Sequence, residues 1–248
     1  MQAELIELTR VGNVLNGQKV HRNVNLKIKT GDRVAMIGGS GSGKTTLLRN
    51  MLLLLPPTSG QVKIFNEDVY ACSTKKANQV RSRFGTLFQS GALFGALTVL
   101  ENIMFPLQEF TVLPAVYCQE LAYLKMQMVG LPLDAAHKYP AELSGGMQKR
   151  TAAARAIVRD PEILFLDEPT SGLDPESTEA FDELILNLHE GLKLTLVFTS
   201  HDLSSVKRLA QQVVFIGNGT ILAEGTYDEV RTNPHPLIRS YFHGYSSG

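Results

Sequence analysis

The run Gly38-Gly39-Ser40-Gly41-Ser42-Gly43-Lys44-Thr45, followed by Thr46, satisfies the spacing G-x-x-x-x-G-K-[ST]. Glycines at these positions let successive backbone N–H groups turn inward on a phosphate. Lys44 can neutralise β- and γ-oxygens, and the Thr45 hydroxyl can ligate Mg²⁺. Further along, apolar Ile163–Leu166 runs into Asp167 and Glu168. Adjacent acids at a strand end can divide their work: Asp167 would hold Mg²⁺ through water, and Glu168 would polarise an attacking water. His201, just beyond Thr195–Thr199 and Ser200, can donate to a γ-phosphate and orient that water. Gln89, ending the stretch Thr86–Phe88, can reach Mg²⁺ or the water. The chemistry is hydrolysis of a nucleoside triphosphate, with Mg²⁺ as the expected metal.

These groups need elements to position them. Val34–Ile37 reads as a buried strand feeding the phosphate loop, and Thr45–Leu55 as the helix behind it, so the loop meets a helix N-terminus that favours anions. Ile163–Leu166 and Thr195–Thr199 read as further buried parallel strands. Leu5–Leu8 and Val24–Ile28 alternate as half-exposed antiparallel strands do, and Asn218-Gly219 signals a two-residue hairpin. Between Ser90 and Arg159 helical periodicity replaces strand signals, interrupted by Pro106, Pro114, Pro132 and Pro140. The expected organisation is a nucleotide-binding α/β core over 1–89 and 160–234, a helical subdomain over 90–159, and a frayed or partner-ordered tail over 235–248.

Composition excludes some classes. Lys plus Arg equals Asp plus Glu at 24 each in 248 residues, so no bulk charge points to nucleic acid or to an anionic membrane surface. Cys72 and Cys118 have no Cys or His at metal-ligand spacing and are expected to be reduced thiols. The N-terminus carries no secretory pattern, and the densest apolar run, Met51–Leu55, stops at Pro56-Pro57. A role at a membrane would have to be exercised by docking.

One stretch restricts the reading further. Leu143-Ser144-Gly145-Gly146-Met147 precedes helical Met147–Val158, so Ser144, Gly145 and Gly146 would present a hydroxyl, bare amides and a helix dipole in one direction. A phosphate loop with such a turn before an acidic strand end resembles the ATP-binding cassette. That resemblance implies a P-loop NTPase fold with a RecA-like core, an N-terminal antiparallel β subdomain and an inserted α-helical subdomain, the cassette domain spanning 4–240. It implies that Ser144, Gly145 and Gly146 cap the γ-phosphate of an ATP held by a second copy, in a head-to-tail homodimer. Ser171-Gly172-Leu173-Asp174 resembles the loop that crosses to the partner's site.

Two residues depart from the family pattern. Met147 stands where the family usually has Gln, with Gln148 next. The aromatic that commonly stacks adenine upstream of the phosphate loop is missing, the first aromatic of the chain being Phe65. Alignment puts Leu15 or Val14 at that post, so an aliphatic platform and weaker base discrimination are expected.

Phe88-Gln89-Ser90-Gly91-Ala92-Leu93-Phe94, Thr98–Ile103 and Lys149-Arg150 resemble the ATPase subunits of Mla-type phospholipid transporters. This implies a peripheral subunit on the cytoplasmic side of the inner membrane, with permease subunits, a small STAS-type subunit and a periplasmic lipid-binding ring as partners. The apolar run Ala92–Phe105 is expected to serve either permease docking or the subdomain core. Two alternatives share the motifs: an importer ATPase for a small polar solute, and a non-transport cassette acting on DNA or ribosomes. The second tends to carry long coiled-coil insertions or two fused cassettes, and the short span from Lys44 to Asp167 makes it the less expected reading.

Overall fold

The computed structural model describes residues 4–244. In chain order the elements are β1 (Glu4–Leu15), β2 (Gln18–Lys29), β3 (Arg33–Ile37), α1 (Lys44–Met51), β4 (Ser59–Ile64), β5 (Glu67–Asp68) and α2 (Thr74–Arg81). Then come β6 (Phe84–Leu87), α3 (Val99–Phe110), α4 (Ala115–Met128), α5 (Gly145–Ile157), β7 (Ile163–Asp167) and α6 (Pro175–Leu192). The chain closes with β8 (Thr195–Thr199), α7 (Leu203–Leu209), β9 (Gln212–Gly217), β10 (Thr220–Gly225), α8 (Tyr227–Arg231) and α9 (Pro236–Gly244).

Two compact units result, one from Met1–Arg81 with Thr195–Gly248, the other Ser82–Leu194. In the first, β2, β1, β4 and β5 form an antiparallel sheet in that order. The alternation read from sequence holds in β2, where Val24, Leu26 and Ile28 are buried and Asn25 and Lys27 exposed; in β1 it does not, since Leu5 is buried together with Ile6 and Leu8. The same unit holds β3 flanked by β8 and β9, both parallel to it, with β10 antiparallel at the edge. Every side chain of β8 is buried, and Val34–Ile37 of β3 are fully so, as strands covered on both faces require. Asn218 (φ 51°) and Gly219 (φ 78°) both adopt the left-handed conformation that the β9–β10 turn demands.

In the second unit β6 and β7 pair in parallel, with the Phe84 and Phe165 rings edge-to-face at 5.3 Å. Helices α3, α4 and α5 pack on one another. Thr98 and Glu101 form a reciprocal cap at the start of α3, and buried Asn102 donates to the carbonyls of Phe94, Leu97 and Thr98. The apolar run after Gln89 divides: Val99, Leu100 and Ile103 join the core, whereas Ala92 and Phe94 remain exposed.

The expected frayed tail is corrected in part. Residues 236–244 form α9, anchored by buried Ile238 and Phe242, with Tyr241 edge-to-face on Phe215 at 5.2 Å; 245–248 lie outside the described residues. Cys72 and Cys118 are free thiols, the latter buried. Among the described residues no helix is long and apolar enough to cross a membrane.

Candidate functional site

In the first unit, β3 ends at Ile37 and the chain turns through the glycine-rich loop into α1. Gly38 (φ 147°) lies so close to Ile216 that a Cβ there would sit 2.2 Å from its carbonyl oxygen. Gly43 (φ 99°) would place a Cβ 2.4 Å from His21 Nε2 and 2.9 Å from Val20 Cγ1. Both positions therefore exclude any side chain. Lys44 is 6% exposed and donates from Nζ to the Gly38 carbonyl at 2.8 Å and the Gly39 carbonyl at 3.2 Å, arching over its own loop. Thr45 is exposed on the first turn of α1.

The parallel register pairs Met36 with Thr199 and Ala35 with Phe198. Extended by two residues, it sets His201 level with Gly38 at the start of the loop. Asp202 caps α7 by accepting from Ser204 N at 2.8 Å, which fixes the main chain just after His201.

An open cleft of about 920 Å³ lies against Gly39–Ser42, with further walls from Val20, Arg22, Asn218-Gly219 and, in α9, Leu237 and Tyr241. Neither Val14 nor Leu15 lines it. Val14 is exposed near the end of β1, and the cleft's aromatic lining is Phe215 of β9 and Tyr241 of α9.

Beneath Gly43 sits a buried polar cluster that the sequence does not announce. His21 (2% exposed) accepts at Nδ1 from Asn13 Nδ2 at 2.9 Å; Asn13 Nδ2 also donates to Asn50 Oδ1 at 2.7 Å. Asn50 passes the chain of bonds to the Leu55 carbonyl at 2.7 Å. With Nδ1 accepting, Nε2 carries the proton, and no partner reaches it. Burial pushes the imidazole down to about 4, so His21 is neutral near pH 7.

In the second unit, β6 pairs Leu87 with Leu166 of β7. Extending that register brings Gln89 level with Glu168, one residue past Asp167. Gln89 Nε2 lies 3.3 Å from Ser171 Oγ, and Ser171 N donates to the Glu168 carbonyl at 3.2 Å. Glu168 itself holds φ at 49°, a left-handed conformation that a non-glycine residue adopts at a cost of about 1–3 kcal/mol. Strain of this kind gathers where a side chain has to be aimed.

Ser144 caps α5, accepting from Met147 N at 3.3 Å, with Gly145 exposed beside it. The helix begins at Gly145, two residues earlier than the sequence suggests. Gln148, one place beyond the family's usual Gln, folds back to donate to the carbonyls of Pro140 (3.0 Å) and Leu143 (3.3 Å), bracing the turn from behind. Asp174 caps α6, accepting from Ser177 N at 2.9 Å and Ser177 Oγ at 2.6 Å, and these bonds hold its carboxyl below the usual range.

A glycine-rich loop leading from a central parallel strand into a helix N-terminus defines a phosphate-loop nucleotide-binding protein. Residues 21–171 match the family described as ABC transporter. The chain belongs to that family, and its activity is ATP hydrolysis. It is 37% identical to the intermembrane phospholipid transport system ATP-binding protein MlaF of Haemophilus influenzae, over 100% of this chain and 94% of that one. It is 32% identical to a probable ribonucleotide transport ATP-binding protein, mkl, of Mycobacterium leprae, covering 98% of this chain and 70% of that one. Among solved structures it resembles a post-hydrolysis dimer of an ATP-binding cassette bound to ADP and Pi, with a TM-score of 0.82 at 30% identity over 90% of this chain and 99% of that one. The fold is that of an ABC cassette, as the sequence pattern led one to expect.

Proposed function

We propose that this chain is the ATP-hydrolysing subunit of a membrane transporter whose cargo is phospholipid, one that maintains outer-membrane lipid asymmetry. The observation that carries the reading is end-to-end similarity, at 36–37% identity, to proteins named as intermembrane phospholipid transport ATP-binding subunits. The loop geometry supplies the chemistry. Backbone amides of Gly38–Thr46 and the Lys44 ammonium hold the β- and γ-phosphates; in binding ATP, Lys44 exchanges two loop carbonyls for phosphate oxygens. Glu168 accepts the proton of the attacking water, and His201 donates to the γ-phosphate. Water oxygen then bonds to the γ-phosphorus as the bridging bond to ADP breaks, leaving ADP and phosphate.

Thr45, Gln89 and Asp167 offer a hydroxyl, an amide oxygen and a carboxylate, hard donors that suit Mg²⁺. When bound, the ion would neutralise charge on the β- and γ-oxygens. Ser144, Gly145 and Gly146 close over the γ-phosphate of an ATP on a second copy, and the loop through Asp174 crosses to that copy, so the working unit is a homodimer. Similarity to a dimeric cassette supports this. ATP-driven closing and hydrolysis-driven reopening provide the differential binding that moves permease subunits between states. The chain docks on the cytoplasmic side of the inner membrane, with a STAS-type subunit and a periplasmic lipid-binding ring completing the assembly.

A second reading, the ATPase of a small-solute importer, is favoured by the likeness to the probable ribonucleotide transporter subunit. Affinity purification from membranes separates the two. Phospholipid and permease co-purifying with the chain are expected; a soluble periplasmic solute-binding protein in their place would overturn the phospholipid assignment.

A further inference from the structure

Lys149 is 7% exposed, on the second turn of α5. Burying an ammonium is costly unless it is paired and hydrogen-bonded. Its Nζ donates to the main-chain carbonyl of Gln89 at 2.5 Å, sixty positions away in the chain. Burial lowers its proton affinity, and the opposing influence is the negative charge of Glu168. The carbonyl is the partner that holds this cation in place, and it belongs to a residue of the hydrolytic machinery.

The residues around it form a continuous string within one unit. Ser144 caps the same helix five positions earlier. Gln89, held by Lys149 through its carbonyl, reaches Ser171 with its side chain, and Ser171 N bonds back to the carbonyl of Glu168. Two turns of α5 therefore join the phosphate-capping turn to the residue that activates water. A neutral side chain at 149 would leave the string with its charge-assisted hydrogen bond weakened or lost.

We propose that Lys149 is a positioning residue for ATP hydrolysis: it clamps the main chain at Gln89, so that seating the Ser144–Gly146 turn on the partner copy's ATP reorders the water-activating side of its own unit. This rests on the dimeric reading of the capping turn given above. Lys149 acts through Gln89, whose side chain reaches Ser171 and so the main chain at Glu168. Lysine suits the task because its ammonium is a compact charge at the end of a long, flexible stem.

The test uses the purified transporter complex and three variants. Lys149→Met removes donor and charge, Lys149→Gln keeps a donor without charge, and Lys149→Arg keeps both. The readouts are kcat, KM and Hill coefficient for MgATP, with nucleotide bound per chain measured on the same samples. For Lys149→Met the expected result is nucleotide binding and KM within about threefold of wild type, with kcat lower by about 10–100-fold, the scale of misplaced catalytic groups. The Hill coefficient should fall towards one, because one ATP no longer reports to the other site. Lys149→Gln should show the same loss of cooperativity, and Lys149→Arg should recover most of the activity. Wild-type kcat and cooperativity in the Met or Gln variant would overturn the proposal. So would a fall in activity that only tracks the nucleotide bound per chain, the mark of a merely structural role. If Lys149→Met does not fold, Lys149→Gln decides alone. Failure of the dimeric ATPase reading looks different: the wild-type complex would itself hydrolyse ATP without cooperativity, or Glu168→Gln would still turn over.

Discussion

Gly43→Ala isolates how the phosphate loop is supported from below. A methyl at this position meets two obstacles. The backbone holds φ at 99°, outside what alanine adopts without strain, which costs about 1–3 kcal/mol. The new Cβ would also lie 2.4 Å from His21 Nε2 and 2.9 Å from Val20 Cγ1, closer than real contacts allow. His21 cannot swing away freely, because Nδ1 is tied to Asn13 and Asn13 to Asn50. Overpacking of this kind costs about 1–3 kcal/mol more. The sum, about 2–6 kcal/mol, is a large part of a typical domain's total stability of about 5–15 kcal/mol. The background His21→Ala removes the nearer obstacle and leaves the φ strain and the Val20 contact. Gly43→Ala should therefore cost less there, by about 1 kcal/mol or more and at most the overpacking cost of about 3 kcal/mol, a coupling that urea unfolding of the four proteins measures directly. Equal cost in both backgrounds, to within about 0.5 kcal/mol, would refute the claim that His21 is the wall behind the loop.

Three further outcomes are expected. Glu168→Gln should retain ATP, accumulate as a nucleotide-bound dimer by size-exclusion chromatography, and lose turnover by about 10²–10⁴-fold, the range for a catalytic base; undiminished hydrolysis would remove Glu168 from that role. His21 has its folded-state value depressed to about 4 from 6.5, so its neutral form contributes stability that is fully present above pH 6.5 and is lost as pH falls towards 4. Wild type should lose more stability than His21→Leu over that window, by up to about 1.4 kcal/mol per pH unit, and parallel urea curves for the two would contradict it. With Tyr241 walling the cleft beside the loop, Tyr241→Ala should raise KM for ATP more than for GTP if the ring contacts the base; the ratio of KM values, measured side by side, decides it.

What the sequence disclosed, and what it withheld, follows from the range of the forces involved. The phosphate loop is legible because its function is local: nine consecutive residues carry glycines where only glycine fits, and Gly38 and Gly43 confirm that requirement atom by atom. Strands β3, β7 and β8 are legible because both their faces are buried, which leaves an uninterrupted apolar run bounded by polar residues. Helix α9 was hidden because its nine residues carry only two buried anchors, Ile238 and Phe242, and take their order from ring contacts with Phe215 of β9 and Tyr227 of α8. Lys149 illustrates the opposite limit to the loop. A lysine on a helix is ordinarily solvated, and its position two turns into α5 gives no sign of burial. Its meaning comes from a carbonyl contributed by another strand end, and only folding brings that carbonyl within reach. His21 follows the same rule, being one polar residue in an alternating strand whose register with β1 and α1 makes it the floor of the loop. Motifs that touch ligand are written contiguously because the ligand is small. The residues that hold those motifs in place are dispersed, since any element packed against them can supply the contact.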